Sequence, residues 1–255
     1  MELLAEKFSR FFRVNLAITP QQKRYSYAIR HQVYAEELGW EAESETRLET
    51  DHYDDFSHHC LLEHKRSGDL MGCVRLVLPS IGRSESRLPC QTHEIPLRNS
   101  HRLSGISGES VGEVSRLAVL NSFRAHETDR PFMLDSYNGA IYSDEERRYF
   151  PYISMGLYLS AIALVDLCEL ERVLVVMEPR LQRRLQRCGL VFHQISDTFE
   201  FKGRRALFEL PGEELTINME EQVLELYNII RNDLSCQLEE RVPPSYETVR
   251  CEQSV

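Results

Sequence analysis

Two segments with the residue pattern of β-strands carry ionisable side chains in their interior. Arg75 lies within residues 72–76, and Glu113 and Arg116 lie within residues 112–119. A strand with one covered face rarely points ionised groups into that face, because an unpaired buried charge is very costly. A carboxylate in such a place can accept a proton, and an arginine can bind a carboxylate through two parallel hydrogen bonds. We therefore expect the functional site at these two segments.

Composition describes an ordinary globular chain. Its 255 residues are 42% hydrophobic and 27% charged, which is enough to bury a sizeable core as one large domain, or a domain with a tail. The formal net charge of -10 argues against a nucleic-acid binder, which needs a basic surface to displace counterions from phosphates. Any polyanionic partner must therefore meet a local basic patch.

Cysteine usage and apolar runs predict a cytoplasmic protein without a transmembrane segment. The seven cysteines are odd in number and contain no Cys-x-x-Cys pair, so they indicate neither a disulfide framework nor a zinc knuckle. Residues 1–7 lack the pattern of an export signal. The longest apolar run, 153–168, is short for a membrane span and contains Asp166, which favours a buried helix.

The order of hydrophobic patterns predicts an α+β fold. Thr19, Pro20 and Gln22 form a helix start, and we expect that helix to run to about Leu38, with Gly39 as its stop. The remaining predicted elements are a hairpin (59–64 and 70–78), a strand (112–120), a helix (153–170), a strand (172–177), a helix (179–188) and strands at 191–195 and 198–210. Residues 80–111 connect the hairpin to the strand 112–120, and they are expected to form an exposed excursion, that is, a surface loop.

The expected domain organisation has three parts. Residues 1–212 form one domain, 213–238 an amphipathic helix packed on it, and 239–255 a flexible tail.

Two further sequence patterns are weak evidence for a functional site. Residues 108–112 fit Gly-x-Ser-x-Gly, but a nucleophile elbow needs a strand before it and a helix after it. Histidines cluster between His52 and His64 without a metal-binding spacing, so no metal site is expected.

Five short motifs follow one another between residues 24 and 120. They are Arg30-x-x-Val33-Tyr34, Gly39-Trp40, Glu49-Thr50-Asp51-x-Tyr53-Asp54, Gly72-Cys73-Val74-Arg75-Leu76 and Glu113-Val114-Ser115-Arg116-Leu117-Ala118-Val119. In order and approximate spacing they resemble the signature of acyl-homoserine-lactone (autoinducer) synthases.

Motifs in the second half resemble a sister group. They are Val176-Met177-Glu178-Pro179-Arg180-Leu181, Leu185-x-x-Cys188-Gly189-Leu190 and Phe201-Lys202-Gly203-Arg204-Arg205-Ala206. They are similar to acyltransferases associated with PEP-CTERM/exosortase systems, which belong with N-acyl amino acid synthases to the N-acetyltransferase (GNAT) superfamily. The resemblance implies a GNAT-like fold, with a central mixed, mostly antiparallel sheet flanked by helices.

The implied reaction moves a fatty acyl chain from an acyl carrier protein thioester to the amine of an amino-acid-like acceptor. One alternative is an acyl-homoserine-lactone synthase that uses S-adenosylmethionine as co-substrate. A second is a non-catalytic GNAT-like module that binds an acyl ligand or a carrier. No tightly bound cofactor is expected.

The resemblance assigns roles along the second charged segment. Aminolysis of a thioester needs a base for the amine proton and donors for the oxyanion. Glu113 is the expected base, directly or through water, with Ser115 and Arg116 in the catalytic set. The alternative for Glu113 is an ion pair that merely locks the strand. The backbone of Leu117, Ala118 and Val119 is expected to bind the pantetheine arm and the acyl carbonyl.

Acceptor binding is assigned to a second set of residues. These are Arg30, Tyr34, Trp40, Asp51, Asp54 and Arg75. Arginines suit a carboxylate and carboxylates suit an ammonium group, so the charged members fit an acceptor that carries both. They fit equally a buried ion-pair network that orders residues 41–55, and the two aromatic residues fit core packing as well as pocket walls.

The donor is expected to be carrier-bound rather than free coenzyme A. The Gln/Arg-x-x-Gly-x-Gly/Ala loop that many GNAT enzymes use for the coenzyme A pyrophosphate is absent after Val119. An acidic carrier needs a basic docking face, and the helix 179–188 offers Arg180, Arg183, Arg184 and Arg187 at i, i+3, i+4 and i+7. Arg204 and Arg205 can extend this face. The alternatives are a solvated surface and a nucleic-acid contact.

Overall fold

A mixed β-sheet of eight strands organises the computed structural model, which describes residues 3–79, 87–92, 95–98, 110–124 and 142–240. The strands are β1 Phe12–Leu16, β2 Ser57–His64, β3 Leu70–Val77, β4 Val111–Val119, β5 Arg172–Met177, β6 His193–Gln194, β7 Phe199–Glu200 and β8 Arg204–Pro211. Their order is β1-β2-β3-β4-β5-β8-β6, with β7 paired to β8. Only the β4–β5 pairing is parallel within these ranges. The predicted α+β class and the mostly antiparallel sheet are confirmed.

Helices cover both faces of this sheet. They are α1 Leu4–Phe11, α2 Pro20–His31, α3 Asp144–Arg148, α4 Pro151–Leu167, α5 Pro179–Arg187 and α6 Glu221–Glu239. Successive residues of a strand point to opposite faces. On β3, a side chain at Gly72 would meet Leu157 of α4, whereas the Cys73 thiol lies against Ser26 of α2. The sheet is therefore covered by α2 on one face and by α4 on the other.

Helix α2 starts where the sequence predicts. The Thr19 hydroxyl accepts a hydrogen bond from Gln22 N, and the Gln22 side chain accepts one from Thr19 N, as in a capping box. After His31 the chain continues as a π-helical turn, Gln32–Glu37, and it leaves the helix at Gly39, whose φ is +62°. The sequence did not indicate this widened turn, a feature that often occurs at functional sites.

Strand β4 carries the main irregularity of the sheet. It pairs with β5 only through residues 111–114, and beyond Val114 the two strands separate. On its other edge, Ala118 pairs with Cys73 and Ser115 with Arg75, so two residues of β4 lie opposite one of β3. Arg116, in this bulge, has a φ of +52°. A bulge bends its strand and increases the local twist, which accounts for the divergence of β4 from β5.

The remaining elements enclose the core. Helix α4 is buried as predicted, because α6 and strands β2 and β3 pack against it. Helix α6 lies against α4 and α1, while the division of the chain at residue 212 stays a prediction. Residues 241–255, and with them nearly all of the expected tail, lie outside the described ranges. None of the helices in the described ranges combines the length and apolar character needed to cross a membrane.

Candidate active site

A cavity of about 570 Å³ lies where β4 parts from β5. Glu113 lines it from the α2 face of the sheet, and Tyr158 and Ile162 of α4 line it from the opposite face. The opening therefore passes through the sheet at the point of separation. Its volume is within the usual range for small-molecule sites, about 300 to 1,000 Å³.

Glu113 has the environment of a base that works near neutral pH. It is 3% exposed, and its Oε2 accepts a hydrogen bond from Cys90 N at 2.7 Å. Burial raises the pKa of Glu113 to about 7, although the Cys90 hydrogen bonds and the positive charges of Arg75 and Arg116 act to lower it. Glu113 forms no ion pair within the described ranges, so the ion-pair alternative receives no support.

Three arginines and three carboxylates form a network beside this carboxyl. Its ion pairs are Arg30 with Glu49 and Asp54, Arg75 with Asp51 and Asp54, and Arg116 with Glu49 and Asp51. The N–O distances of the Asp54 pairs are 2.6 Å to Arg30 and 2.8 Å to Arg75. Burial alone would raise the pKa of Asp54, but the arginines outweigh it and hold that pKa at about 2.

The position of most of the network fits the ordering of residues 41–55, which is the alternative to acceptor binding. Arg30 and Arg75 are fully buried, and neither they nor Asp51 and Asp54 line the cavity, whereas Arg116 does. Each of the two buried arginines keeps one Nη2 atom without a hydrogen-bond partner in the described part of the chain. Direct contact between this set and an acceptor stays a prediction, and Arg116 is its member at the cavity wall.

Aromatic residues form one wall of the cavity, as predicted for pocket walls. The rings of Tyr34 and Trp40 stack with centroids 6.0 Å apart. The Arg116 guanidinium lies over Tyr34, and the Arg205 guanidinium lies over Trp40 at 5.4 Å from the ring centre. The Tyr34 hydroxyl donates a hydrogen bond to the Leu117 carbonyl. This column of side chains links the segment that follows α2 to β4 and β8 across the opening.

The other predicted residues of β4 reach the cavity. Leu117, Ala118 and Val119 line it, as does Ser115, whose hydroxyl accepts a hydrogen bond from Arg75 Nε at 3.1 Å. On the side of α4 and α5 the lining becomes apolar. It includes Ala161, Ile162, Leu181, Leu185, Leu190 and Phe192. A polar end and an apolar end thus meet at the free part of β4.

The four arginines of α5 divide into two pairs. All four are exposed, but Arg180 and Arg184 line the cavity and Arg183 and Arg187 do not. Arg205 lies on the same side and pairs with Glu178 at 2.6 Å. The helix therefore presents positive charge both to the cavity entrance and to the outer surface.

Sequence reasoning missed three residues of the site. Glu49 belongs to one of the family motifs, but its ion pairs with Arg30 and Arg116 join segments that are distant in the sequence, so the sequence did not indicate them. Glu41 lines the cavity and forms an ion pair with Lys202, which also lines it. Cys90 falls in the expected exposed excursion, yet it is 3% exposed. That expectation is wrong for residues 88–90, because Leu88 and Cys90 pack in an apolar cluster with Tyr53.

A metal centre finds no support in the described residues, where no group of three or more His, Cys, Asp or Glu side chains is placed to hold an ion. Of the Gly-x-Ser-x-Gly pattern, residues 108–109 lie outside the described ranges. Its Ser110 is followed by β4 rather than by a helix, which a nucleophile elbow requires.

Replacing Arg75 by Met tests whether the network is structural. The change removes the ion pairs of Arg75 with Asp51 and Asp54 and leaves both carboxylates without this partner. We therefore expect the free energy of unfolding at pH 7 to fall by about 3 to 5 kcal/mol. The matched control is Arg13→Met, which breaks an exposed pair with Glu63 and should cost less than about 1 kcal/mol. Urea unfolding of the three proteins measures both values.

The pH dependence of the same proteins gives a second readout. Because the folded-state pKa of Asp54 is lowered to about 2, its contribution to stability is present above the unfolded pKa of about 4 and is lost as the pH falls through 2. The parent should therefore lose stability over this acid range more steeply than Arg75→Met. Unchanged stability of Arg75→Met together with lost acceptor binding would instead favour direct acceptor contact.

Comparisons with known proteins identify the fold of the chain. Residues 29–132 match the family model of an acetyltransferase (GNAT) domain. No curated protein matches the chain. Among solved structures, the chain is similar to MesI, a CoA-dependent acyl-homoserine lactone synthase, with 18% identity, a TM-score of 0.53, and coverage of 85% of this chain and 95% of that one.

Two further structures show the same similarity. The AHL synthase LasI shares 15% identity, with a TM-score of 0.51 and coverage of 83% of this chain and 94% of that one. FeeM, an N-acyl amino acid synthase from uncultured soil microbes, shares 12% identity, with a TM-score of 0.51 and coverage of 82% and 94%. The chain has the GNAT fold, and the match to an acetyltransferase domain bears out the expected enzyme class, an acyltransferase.

Proposed function

We propose that the protein transfers a fatty acyl group from an acyl carrier protein thioester to the amine of an amino-acid-like acceptor. The observation that carries this proposal is the buried Glu113 carboxyl, with a pKa of about 7, at a cavity that opens between β4 and β5. A carboxyl with that pKa takes up a proton readily at neutral pH, which is what attack by an amine requires.

The reaction then follows from the two ends of the cavity. The neutral amine attacks the thioester carbonyl, so a C–N bond forms and the carbonyl oxygen becomes an oxyanion next to the free edge of β4. Glu113 takes the proton from the nitrogen, directly or through water. Collapse of the intermediate breaks the C–S bond, and the pantetheine leaves as a thiolate that takes up the proton held by Glu113, which restores the carboxylate. The apolar lining residues of the α4 and α5 side, such as Ala161 and Phe192, hold the acyl chain during these steps.

The residues that follow β4 support a carrier-bound acyl donor rather than coenzyme A. Coenzyme A would place a pyrophosphate where a glycine-rich loop offers free N–H groups, and here a short 3₁₀ turn, Asn121–Phe123, replaces that loop. The Asn121 N–H already donates to Glu37 at 3.1 Å, and Arg124 forms an ion pair with the same carboxylate. Since a carboxylate occupies these donors, a pyrophosphate there would meet negative charge, and a carrier-bound pantetheine avoids the conflict.

The charge of the cavity supports an acceptor with a carboxylate. Four basic lining residues are balanced by carboxylates, since Arg116 pairs with Glu49 and Asp51, Arg124 with Glu37, Lys202 with Glu41 and Arg205 with Glu178. Arg180 and Arg184 of α5 also line the cavity and add positive charge, which suits the carboxylate of an amino acid. An association with PEP-CTERM/exosortase protein sorting remains a prediction from the resemblance.

A product assay tests the function directly. The protein is incubated with acyl-carrier thioesters and either amino acids or S-adenosylmethionine, and the products are identified by mass spectrometry. We expect N-acyl amino acids. A product only with S-adenosylmethionine would replace the proposal by acyl-homoserine-lactone synthesis, as in the described activities of LasI and MesI. Binding of the acyl donor without any product would favour a non-catalytic module.

The substitution Glu113→Gln tests the base. We expect kcat to fall by at least about 100-fold, because the amide cannot take the proton while its carbonyl can still accept the Cys90 N–H. In the parent, kcat should rise with pH through about 7, since only the ionised carboxyl acts as a base. A pH–rate profile of the parent without a rise near 7 would contradict this role.

Stability measurements provide the control for Glu113→Gln. The raised folded-state pKa means that the carboxyl stabilises the fold below its unfolded pKa of about 4.3, and that this contribution is lost as the pH rises through about 7. We therefore expect the Gln variant to be more stable than the parent at pH 8, with a smaller difference at pH 5. Loss of activity with this pattern of stability excludes misfolding as the cause.

Charge reversal on the outer face of α5 tests carrier docking. The double variant Arg183→Glu, Arg187→Glu should raise the KM for the acyl-carrier thioester by about tenfold or more and leave the KM for free acyl-pantetheine unchanged. The matched control reverses Arg10 and Arg13, which lie near β1 at the opposite edge of the sheet. Equal KM values for the carrier substrate in all three proteins would remove α5 as the docking surface.

Enlarging a residue at the apolar end tests where the acyl chain lies. Ala161 lines the cavity from α4 and is 1% exposed, so Ala161→Leu fills space between α4 and β4. We expect the preferred acyl chain to become shorter, with kcat/KM for short chains kept within about threefold. Competition among thioesters of increasing length measures the preference, and an unchanged preference would place the chain elsewhere.

A further inference from the structure

The free part of β4 has a defined orientation. Ala118 pairs with Cys73 of β3, and Leu120 N donates to Met71 O. In an antiparallel ladder, alternate residues point their backbone N–H and C=O groups to the same side. Ala118 and Leu120 therefore face β3, while Val119 directs its backbone groups to the edge that β5 has left. Leu117 lies in the bulge, and its carbonyl is bonded by a side chain of the cavity wall, Tyr34.

Side chains bond to both carbonyl groups on this edge. The Tyr34 hydroxyl donates to Leu117 O at 2.7 Å, and Arg124 Nε donates to Val119 O at 2.7 Å. Both donors line the cavity. Because the two carbonyl oxygens are hydrogen-bonded, the polar groups that this edge still offers to a ligand are mainly N–H groups.

An edge of this kind suits a developing oxyanion. Donors aimed at the negative oxygen stabilise it, whereas an unbonded carbonyl oxygen at the same distance would repel it. The Leu117 carbonyl lies in the β4 bulge, where Arg116 has a φ of +52°, so its direction is not fixed by a regular ladder. A hydrogen bond from outside the sheet is what holds it in place.

We infer that Tyr34 is a positioning residue whose hydroxyl holds the Leu117 carbonyl away from the acyl carbonyl, so that the free edge of β4 presents N–H groups to the oxyanion. This inference rests on the proposed function and assigns to Tyr34 a role different from acceptor binding. The ring of Tyr34 has a separate task, since it stacks on Trp40 and lies under Arg116.

The variant Tyr34→Phe separates the two tasks, because it keeps the ring and removes only the hydroxyl. Removing one direct oxyanion donor lowers kcat by about 100- to 1,000-fold, so losing the group that positions the donors should lower kcat by about tenfold. The KM for the acyl-carrier thioester should stay within about twofold. The pH–rate midpoint near 7 should not move, since Glu113 is untouched.

The matched control is Tyr227→Phe. Tyr227 is buried and donates one hydrogen bond to Asp166 at 2.9 Å, between α6 and α4, and it does not line the cavity. We expect both variants to lose similar thermal stability and only Tyr34→Phe to lose kcat. An equal kcat in parent and Tyr34→Phe would overturn the inference, as would a tenfold loss in the control.

A measurement without turnover keeps the inference separate from the proposed function. An acyl-pantetheine analogue in which CH₂ replaces the thioester sulfur, with a ¹³C-labelled carbonyl, is bound to each protein. Hydrogen bonds to this carbonyl lower its infrared stretching frequency. We expect a lower frequency in the parent and in Tyr227→Phe than in Tyr34→Phe.

The two proposals then fail in different ways. If the parent transfers no acyl group to any amine but shows the lowered frequency that Tyr34→Phe loses, the proposed function is wrong and the inference on Tyr34 stands. If the parent is active and the frequency is the same in the parent and Tyr34→Phe, the inference on Tyr34 is wrong and the function stands.

Discussion

The separation of β4 from β5 after Val114 is the constraint on which the other features depend. Two neighbouring strands that stay paired use their backbone groups on each other and leave no room between them. Beyond Val114, β5 keeps its pairing with β8 but not with β4, so the second half of β4 keeps a free edge and a cavity opens beside it. The bulge at Arg116 accounts for this parting, and the sheet-crossing position of the cavity follows from it.

The ion-pair network connects the bulge to the rest of the fold. Arg116 leaves the ladder with a positive φ, and its side chain is held by Glu49 and Asp51. These carboxylates belong to a segment without regular structure, which Arg30 and Arg75 tie to α2 and β3. Three positive and three negative charges balance one another, so the network can be buried without a net charge. Glu113 stands outside these pairs, and burial therefore dominates its pKa.

Local signals in the sequence predicted much of the fold. The capped start of α2 at Thr19, the hairpin between β2 and β3, and the strand and helix that follow α4 depend on residues close to one another in the chain. The sequence also indicated the location of the candidate site, because Arg75 and Glu113 are charges inside strand patterns, and Glu113 lines the cavity. The motifs around these two residues, which resemble those of acyl-homoserine-lactone synthases, then suggested the chemistry.

The details of the site required contacts between distant segments. The Cys90 N–H that binds Glu113 comes from a stretch whose composition indicates an exposed loop, and the hydrogen bond from Tyr34 to Leu117 joins residues 83 positions apart. The bulge that makes room for Arg116 and Leu117 leaves no periodic signal, since one extra residue shifts the alternation of a short strand only locally. Such features depend on tertiary structure rather than on propensity.

The central claim is that Glu113 is a buried carboxyl that exchanges its proton near neutral pH beside an open strand edge. The most direct measurement is the titration of its side-chain carboxyl carbon by ¹³C NMR in glutamate-labelled protein, with Glu113→Gln identifying the resonance. The account predicts a midpoint near pH 7. A midpoint at the ordinary glutamate value of about 4.3 would contradict it.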